Sequence, residues 1–525
     1  MSISEKTNQL LIALFLVIIA SIISYTYYFD HSALAISLIQ NDAKIYEDKT
    51  NLFYLFYKIS PSFLFDLINL LYKIGINEEQ INIFLTSLTT FFSLSGIYLV
   101  SKYLTSSTFF SLLISCVCIL LRKNFGDVDY PTLMFSEHTM GQIGQSLCTL
   151  IFGLLTLKNL LYAYLFCIFL LSIHSVLGIW MIGVITVTSY ITLKKFNYKK
   201  ISFISLFTLI IIFYYLNFLS TYNEISYEFI EKDYKEFFFY IEAHRNNYGN
   251  LNIFNFNYIT QSLFLVILIM IFLKYDKNSP SIHNNLLLKT LLVSIIFSSL
   301  IYFTYKIFPN IFPNYVVKII PQRFFLVHSI IGYSLTILLI YKLLELILRY
   351  FKYDYSLLLK IFSIIVTLHL FQQHESVNSR FQSFKNIQDN LVKERIFWKK
   401  VNDLNLTGYV LSNNPTCNKV IIHTKLPILF CFYMLDYLSY FPNLVTPSKK
   451  ITHDILDISF KDVKNRNLGG IIDPEIKRIY EEKSFENWKY LNDKFFLNTV
   501  IVPNDWTLDI ENLLLDDLYK VYKIN

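Results

Sequence analysis

The sequence predicts an all-α polytopic membrane protein of about eleven transmembrane helices, followed by a small extracytoplasmic α/β domain. Three observations carry this. The 525 residues are 54% hydrophobic and only 16% charged, against about 25% charged in an average soluble protein. Mean hydropathy is +0.43, and the apolar residues fall in long runs. Near residue 375 the composition changes to that of a soluble domain, so 1–374 is expected to be the helical membrane domain and 375–525 the outer domain. Disorder is excluded by the hydrophobicity, and a collagenous or low-complexity chain by the 13 Gly and 12 Pro. The net charge of +7 is mild for this length. It fits juxtamembrane Lys facing anionic lipid, and no basic stripe with motif support points to nucleic acid.

A helix rises 1.5 Å per residue, so about 20 apolar residues cross a hydrocarbon core of about 30 Å. The first run, 8–28, follows one Lys and leads into Tyr27-Tyr28-Phe29-Asp30 with no small-residue cleavage site. It reads as a retained span with interfacial aromatics. Further runs lie near 82–102, 104–121, 142–158, 159–173, 175–193, 201–220, 259–275, 286–306, 324–341 and 356–371. Those between 142 and 193 are short, which allows tilted, re-entrant or merged segments.

With the N-terminus inside, the inner loops hold Lys102, Lys158, Lys194, Lys195, Lys199, Lys200, Lys274, Lys277, Lys289, Arg349 and Lys352, as the positive-inside rule asks. Arg122 and Lys123 dissent. This orientation puts the long segments 29–80, 122–141, 221–258 and the tail on one outer face. Within 221–258, Tyr227, Ile230, Tyr234, Phe237 and Ile241 recur at helical spacing. That helix either lies in the membrane interface or packs on the protein itself. The tail opens with a helical stretch at 376–402. Apolar runs at Gly408–Ser412, Lys419–Thr424, Thr499–Val502 and Tyr519–Ile524 read as strands, with a helix at 484–494.

The scarce charged residues mark candidate chemistry. Asp30, His31, Asp42, Glu47 and Asp48 lie in the first outer segment; Asp127, Asp129, Glu137 and His138 lie in the second. Carboxylates from two segments can hold a divalent cation through oxygen, or one can act as general base; solvated loop acids are the plain alternative. His174, at the end of an apolar run, suits phosphate binding or acid–base work, or is an interfacial hydrogen-bonded His. Arg323, opening a span, suits bidentate phosphate pairing or snorkels to headgroups. His244 and Arg245 meet an anionic headgroup or cap the preceding helix. Few ionisable groups fall in mid-span; Glu345 is an exception, near the inner end of its helix. Cys116, Cys118, Cys148 and Cys167 sit in apolar runs; Cys417 and Cys431 lie outside them, and spacing alone does not pair them. No CxxC, HExxH, GxGxxG, P-loop, nucleophile elbow or kinase motif occurs, so zinc, nucleotide, protease and ATPase chemistry lack support.

These features resemble GT-C-type membrane glycosyltransferases and their uncharacterised bacterial relatives. Asn41-Asp42, the span-ending His174, Arg245-Asn246-Asn247-Tyr248, Pro321-Gln322-Arg323, and Trp488-Lys489-Tyr490-Leu491 followed by Lys494-Phe495 are similar to segments of those relatives. The resemblance implies an outer-face transferase in a bacterial plasma membrane, taking a sugar from a polyprenyl-phosphate carrier. It implies Asp42, or Asp30 as second choice, as base or metal ligand, with Arg323 on the lipid phosphate and His174 and Arg245 also binding substrate. Asp127, Asp129, Glu137 and His138 would hold a divalent cation, Mg or Mn. The chain departs from the pattern where an acidic pair would follow the first span, since Asp30 precedes His31. The rival expectations are a non-catalytic scaffold or lipid or polymer export component with a partner-binding outer domain, and, ranked last, a transporter.

Overall fold

The computed structural model describes residues 3–24, 31–42, 44–60, 62–120, 124–127, 130–133, 140–157, 160–192, 227–241, 257–275, 285–307, 323–350, 375–432, 434–438, 441–463 and 473–524, with a few isolated residues between 206 and 216 and between 357 and 365. Helices dominate. The first is α1 (Ile3–Ser24), then α2 (His31–Asn41), α3 (Leu52–Lys58), α4 (Phe63–Lys73), α5 (Glu78–Thr105) and α6 (Thr108–Leu120). A hairpin of β1 (Asn124–Asp127) and β2 (Tyr130–Leu133) leads to α7 (Met140–Leu155), α8 (Leu160–Ile173) and α9 (Ser175–Thr192). Then come α10 (Glu231–Tyr240), α11 (Asn257–Tyr275), α12 (Leu286–Ile307) and α13 (Arg323–Tyr350).

Four helices are long and apolar enough to cross a membrane: 78–105, 175–192, 286–304 and 323–347. They make this an integral membrane protein by length and composition. The other described apolar helices, at 7–22, 108–118, 141–155, 160–173 and 259–274, are shorter. They fall below the ~20 residues a straight crossing needs, so the described residues do not reach the expected count. The expected runs at 201–220 and 356–371 lie almost wholly outside the described residues.

The helices pack closely where side chains are smallest. A Cβ on Gly153 of α7 would lie 2.9 Å from the Cα of Gly96 on α5, so these backbones approach as only glycine permits. A capping box of Asn77 and Gln80 starts α5, each accepting from the other's backbone N–H at 3.0 and 3.2 Å.

The segment between α1 and α5 is an ordered platform of α2, α3 and α4. Gln40 donates to the carbonyls of Tyr57 and Ser60 at 2.8 and 2.7 Å. Ser37 donates to Phe65 at 2.8 Å, and Ser62, the N-cap of α4, donates to the carbonyl of Ile173 at 3.2 Å. That last bond ties the platform to the end of α8.

The C-terminal part begins with α14 (Glu375–Asp403). It continues through β3 (Tyr409–Ser412), α15 (Asn414–Thr424), α16 (Val445–Leu456), α17 (Asp473–Glu481), α18 (Phe485–Phe495), β4 (Leu497–Pro503), β5 (Glu511–Leu515) and β6 (Tyr519–Lys523). The sheet order is β3-β4-β6-β5, with β3 and β4 parallel and the other pairs antiparallel. The expected strand at Lys419–Thr424 is instead part of α15. Val420, Ile421 and Ile422 are buried there together with Asn414, Thr416, Cys417 and Asn418, and the Asn-Pro start at 414–415 supplies a helix opening. A short run of β-branched residues reads equally as strand or helix until a neighbour selects its face. The β5 strand was not foreseen. The amphipathic helix appears as α10 and packs on the protein: Tyr234, Phe237 and Phe238 are buried, and it lies against α16.

Cys417 and Cys431 are joined in a disulfide, with Cα atoms 6.1 Å apart. It links α15 to a segment that lies beside β3, where Val410 and Ile428 form an isolated parallel bridge. The buried core runs without a break from the membrane helices through α2–α4 into the C-terminal sheet.

Candidate functional site

The best-defined polar junction lies where α7, the α8–α9 turn and α13 meet. His174 is the single residue between α8 and α9. Its amide donates to Leu170 at 2.7 Å, its carbonyl accepts from Gly178 at 2.9 Å, and its Nδ1 accepts from the amide of Leu177 at 3.4 Å. His174 thus caps α9 with its ring. Using Nδ1 as the acceptor leaves the proton of the neutral ring on Nε2, a donor for an anionic oxygen. Burial first, and then the guanidinium of Arg323, hold His174 well below the ordinary imidazole pKa. The positive charge at this junction therefore belongs to Arg323 at neutral pH.

Arg323 opens α13, and its carbonyl accepts from the buried Gln145 of α7 at 2.8 Å. Phe324 stacks on Trp180 of α9, with centroids 5.1 Å apart and planes 19° apart. Gly144 on α7 supports the same turn: a Cβ there would sit 3.3 Å from the Cβ of His174 and 2.8 Å from Leu177. The β1 strand, which carries Asp127, packs against α13. The structure thus places Arg323 near enough for its charge to act on His174, and packs the strand of Asp127 against the helix of Arg323.

The remaining expected residues divide. Asp42 ends α2, where its amide donates to Leu38 at 2.8 Å and its Oδ1 accepts from the amide of Lys44 at 3.1 Å, an Asx turn. Its charge acts on Lys425, as does that of Glu78; burial pulls the Lys425 ammonium down and these two carboxylates oppose it. Asp42 therefore faces the C-terminal part. Asp30, Asp129, Glu137, His138 and Arg245 lie outside the described residues.

No cluster of three or more His, Cys, Asp or Glu placed to hold a metal ion occurs among the described residues. Three participants were not singled out from sequence: Gln145, Lys425 and His328. His328 is fully buried five residues beyond Arg323. An ionisable residue inside an apolar helix is a signal readable without coordinates, and it was available at Leu326-Val327-His328. Gln145 and Lys425 carry no such mark, since their roles depend on partners far away in the chain.

No family model and no curated protein matches the chain. Among solved structures, the apo crystal structure of the Archaeoglobus fulgidus oligosaccharyltransferase aligns with 94% of this chain and 70% of its own. The TM-score is 0.43 and the sequence identity 9%.

Proposed function

We propose that this protein is a GT-C-like membrane transferase that moves a sugar from a polyprenyl-phosphate carrier to an acceptor on the outer face. The observation that supports this reading is that the helix ends of α8, α9 and α13 bring the charge of Arg323 to bear on the buried ring of His174. A guanidinium near a neutral imidazole N–H suits a lipid-linked phosphate, by bidentate pairing and one further donor. In the reaction, an acceptor oxygen attacks the anomeric carbon and the bond from that carbon to the carrier phosphate oxygen breaks. The electron pair leaves with the carrier, whose charge Arg323 and His174 stabilise as it develops. The acceptor proton passes to a carboxylate, Asp42 or Asp30. The carboxylates of 127–138 are the kind of oxygen ligand a divalent cation such as Mg or Mn prefers. The same reading places the C-terminal part outside a bacterial plasma membrane.

The test is to express Arg323→Ala, Asp42→Ala and Asp30→Ala in place of the native chain and profile surface glycans by mass spectrometry. Arg323→Ala and one of the two carboxylate variants should lose a glycan. Unchanged glycans in all three, at normal protein levels, would sink the reading in favour of a non-catalytic scaffold or export component.

A further inference from the structure

The ring of His328 lies between three helices. On one side its Nδ1 is 2.9 Å from the hydroxyl of Ser262 on α11; on the other its Nε2 is 2.8 Å from the hydroxyl of Ser294 on α12. Ser262, Ser294 and His328 are all fully buried. The rings of Phe152 and Phe325 stand edge-on to the imidazole, each with its centroid 6.1 Å away.

The hydroxyl of Ser294 also donates to the carbonyl of Leu291 at 2.8 Å. A hydroxyl has one proton, so Ser294 accepts from His328, and the imidazole proton sits on Nε2. Nδ1 of the neutral ring is then the acceptor for Ser262. The two bonds have opposite polarity and lead to different helices, so they are satisfied together at one height and one rotation of α13. Turning α13, or sliding it by a residue, breaks both where no water replaces them.

We infer that His328 is a positioning residue for Arg323. It locks α13 in register with α11 and α12, and that register sets the height and rotation at which Arg323 stands at the start of α13. The two residues are five apart, about 7.5 Å along the axis and about 140° around it. His328 thus acts through the helix and does not touch the bound group. This rests on the reading of Arg323 as the phosphate ligand.

The experiment uses the full-length protein in detergent micelles, titrated with long-chain polyprenyl monophosphate and followed by intrinsic fluorescence, for which Trp180 against Phe324 is the local reporter. Arg323→Ala and His328→Leu should each weaken binding about tenfold, and the double variant should bind no more weakly than Arg323→Ala alone. Ser294→Ala, which leaves the ring in place, should weaken binding in the same direction and show the same non-additivity with Arg323→Ala. It decides the matter if His328→Leu does not fold. Additive losses would make His328 a general fold residue and overturn the inference. If Arg323→Ala weakens binding while His328→Leu and Ser294→Ala do not, the inference alone falls. If the native chain does not bind the probe, or Arg323→Ala binds it as well as the native chain does, the phosphate reading falls and takes the inference with it.

Discussion

Tyr46 and Ile428 are joined twice: the phenol donates to the carbonyl of Ile428 at 3.0 Å and accepts from its amide at 3.0 Å. One buried hydroxyl thus satisfies both backbone groups of a residue 382 positions away. Ile428 belongs to the segment bonded to the edge of β3, where Val410 donates to Pro427 and accepts from Leu429, both at 2.9 Å. Asn51 reaches the carbonyl of Leu429 at 3.2 Å, and the Tyr57 hydroxyl reaches Asn418 at 2.8 Å. An open sheet edge is covered by a segment that the membrane-side platform grips through side chains.

Tyr46→Phe keeps the ring and removes both bonds, leaving a buried amide and a buried carbonyl short of a partner. The expected loss is about 2 kcal/mol. Thermal unfolding of the purified protein should show a lower midpoint, and hydrogen exchange at 427–429 should rise most.

The Cys417–Cys431 disulfide spans 14 residues, and closing a loop of this size stabilises the folded state by about 3 kcal/mol. Reduction, or Cys417→Ala with Cys431→Ala, should lower the unfolding midpoint and increase proteolysis between α15 and α16. The membrane helices should keep their protection.

Lys449 of α16 bonds Asp233 at 2.9 Å and Glu236 at 3.0 Å on α10, and Thr446 donates to Asp233 at 2.9 Å. Burial alone would raise Asp233, but the bonds from Lys449 and Thr446 prevail and hold its pKa below the ordinary value. A depressed carboxylate contributes stability that is fully present above its unfolded pKa and lost as pH falls through the folded one. Exchange protection of 231–240 should therefore hold from about pH 5 upward and fall below about pH 4. Lys449→Met should remove that pH dependence and lower protection at neutral pH.

Gly153→Val would press a branched side chain into Gly96, and overpacking of this kind costs about 1–3 kcal/mol. Expression in membranes and the unfolding midpoint should both fall. Gly183→Ala is the control, because a Cβ there would meet Phe297 at an ordinary 3.5 Å.

Much of this fold was legible in the chain. Span positions follow from continuous apolar runs, because hydrocarbon demands that each segment satisfy its own backbone and bury no charge. The helix at 375–403 and the strand at 499–502 follow from local pattern in the same way. The run Val420-Ile421-Ile422 was read as strand, and contact with the platform made it a buried stretch of a helix. The sequence also flagged Arg323 and His174, since polar groups at the ends of apolar runs are few.

What residues 1–525 determined alone was therefore the inventory: apolar helices, scarce charges, and a C-terminal part of different composition. Tertiary structure decided the pairings. It brought the charge of Arg323 to bear on His174 and that of Asp42 on Lys425, hung Ile428 on Tyr46, and fitted His328 between two serines. The physical reason is range. Hydrophobic periodicity is a local property of the chain, whereas these partners stand 34 to 383 positions apart, and only the packed backbone brings them together; the Tyr46 and His328 hydrogen bonds close to 3.0 Å or less.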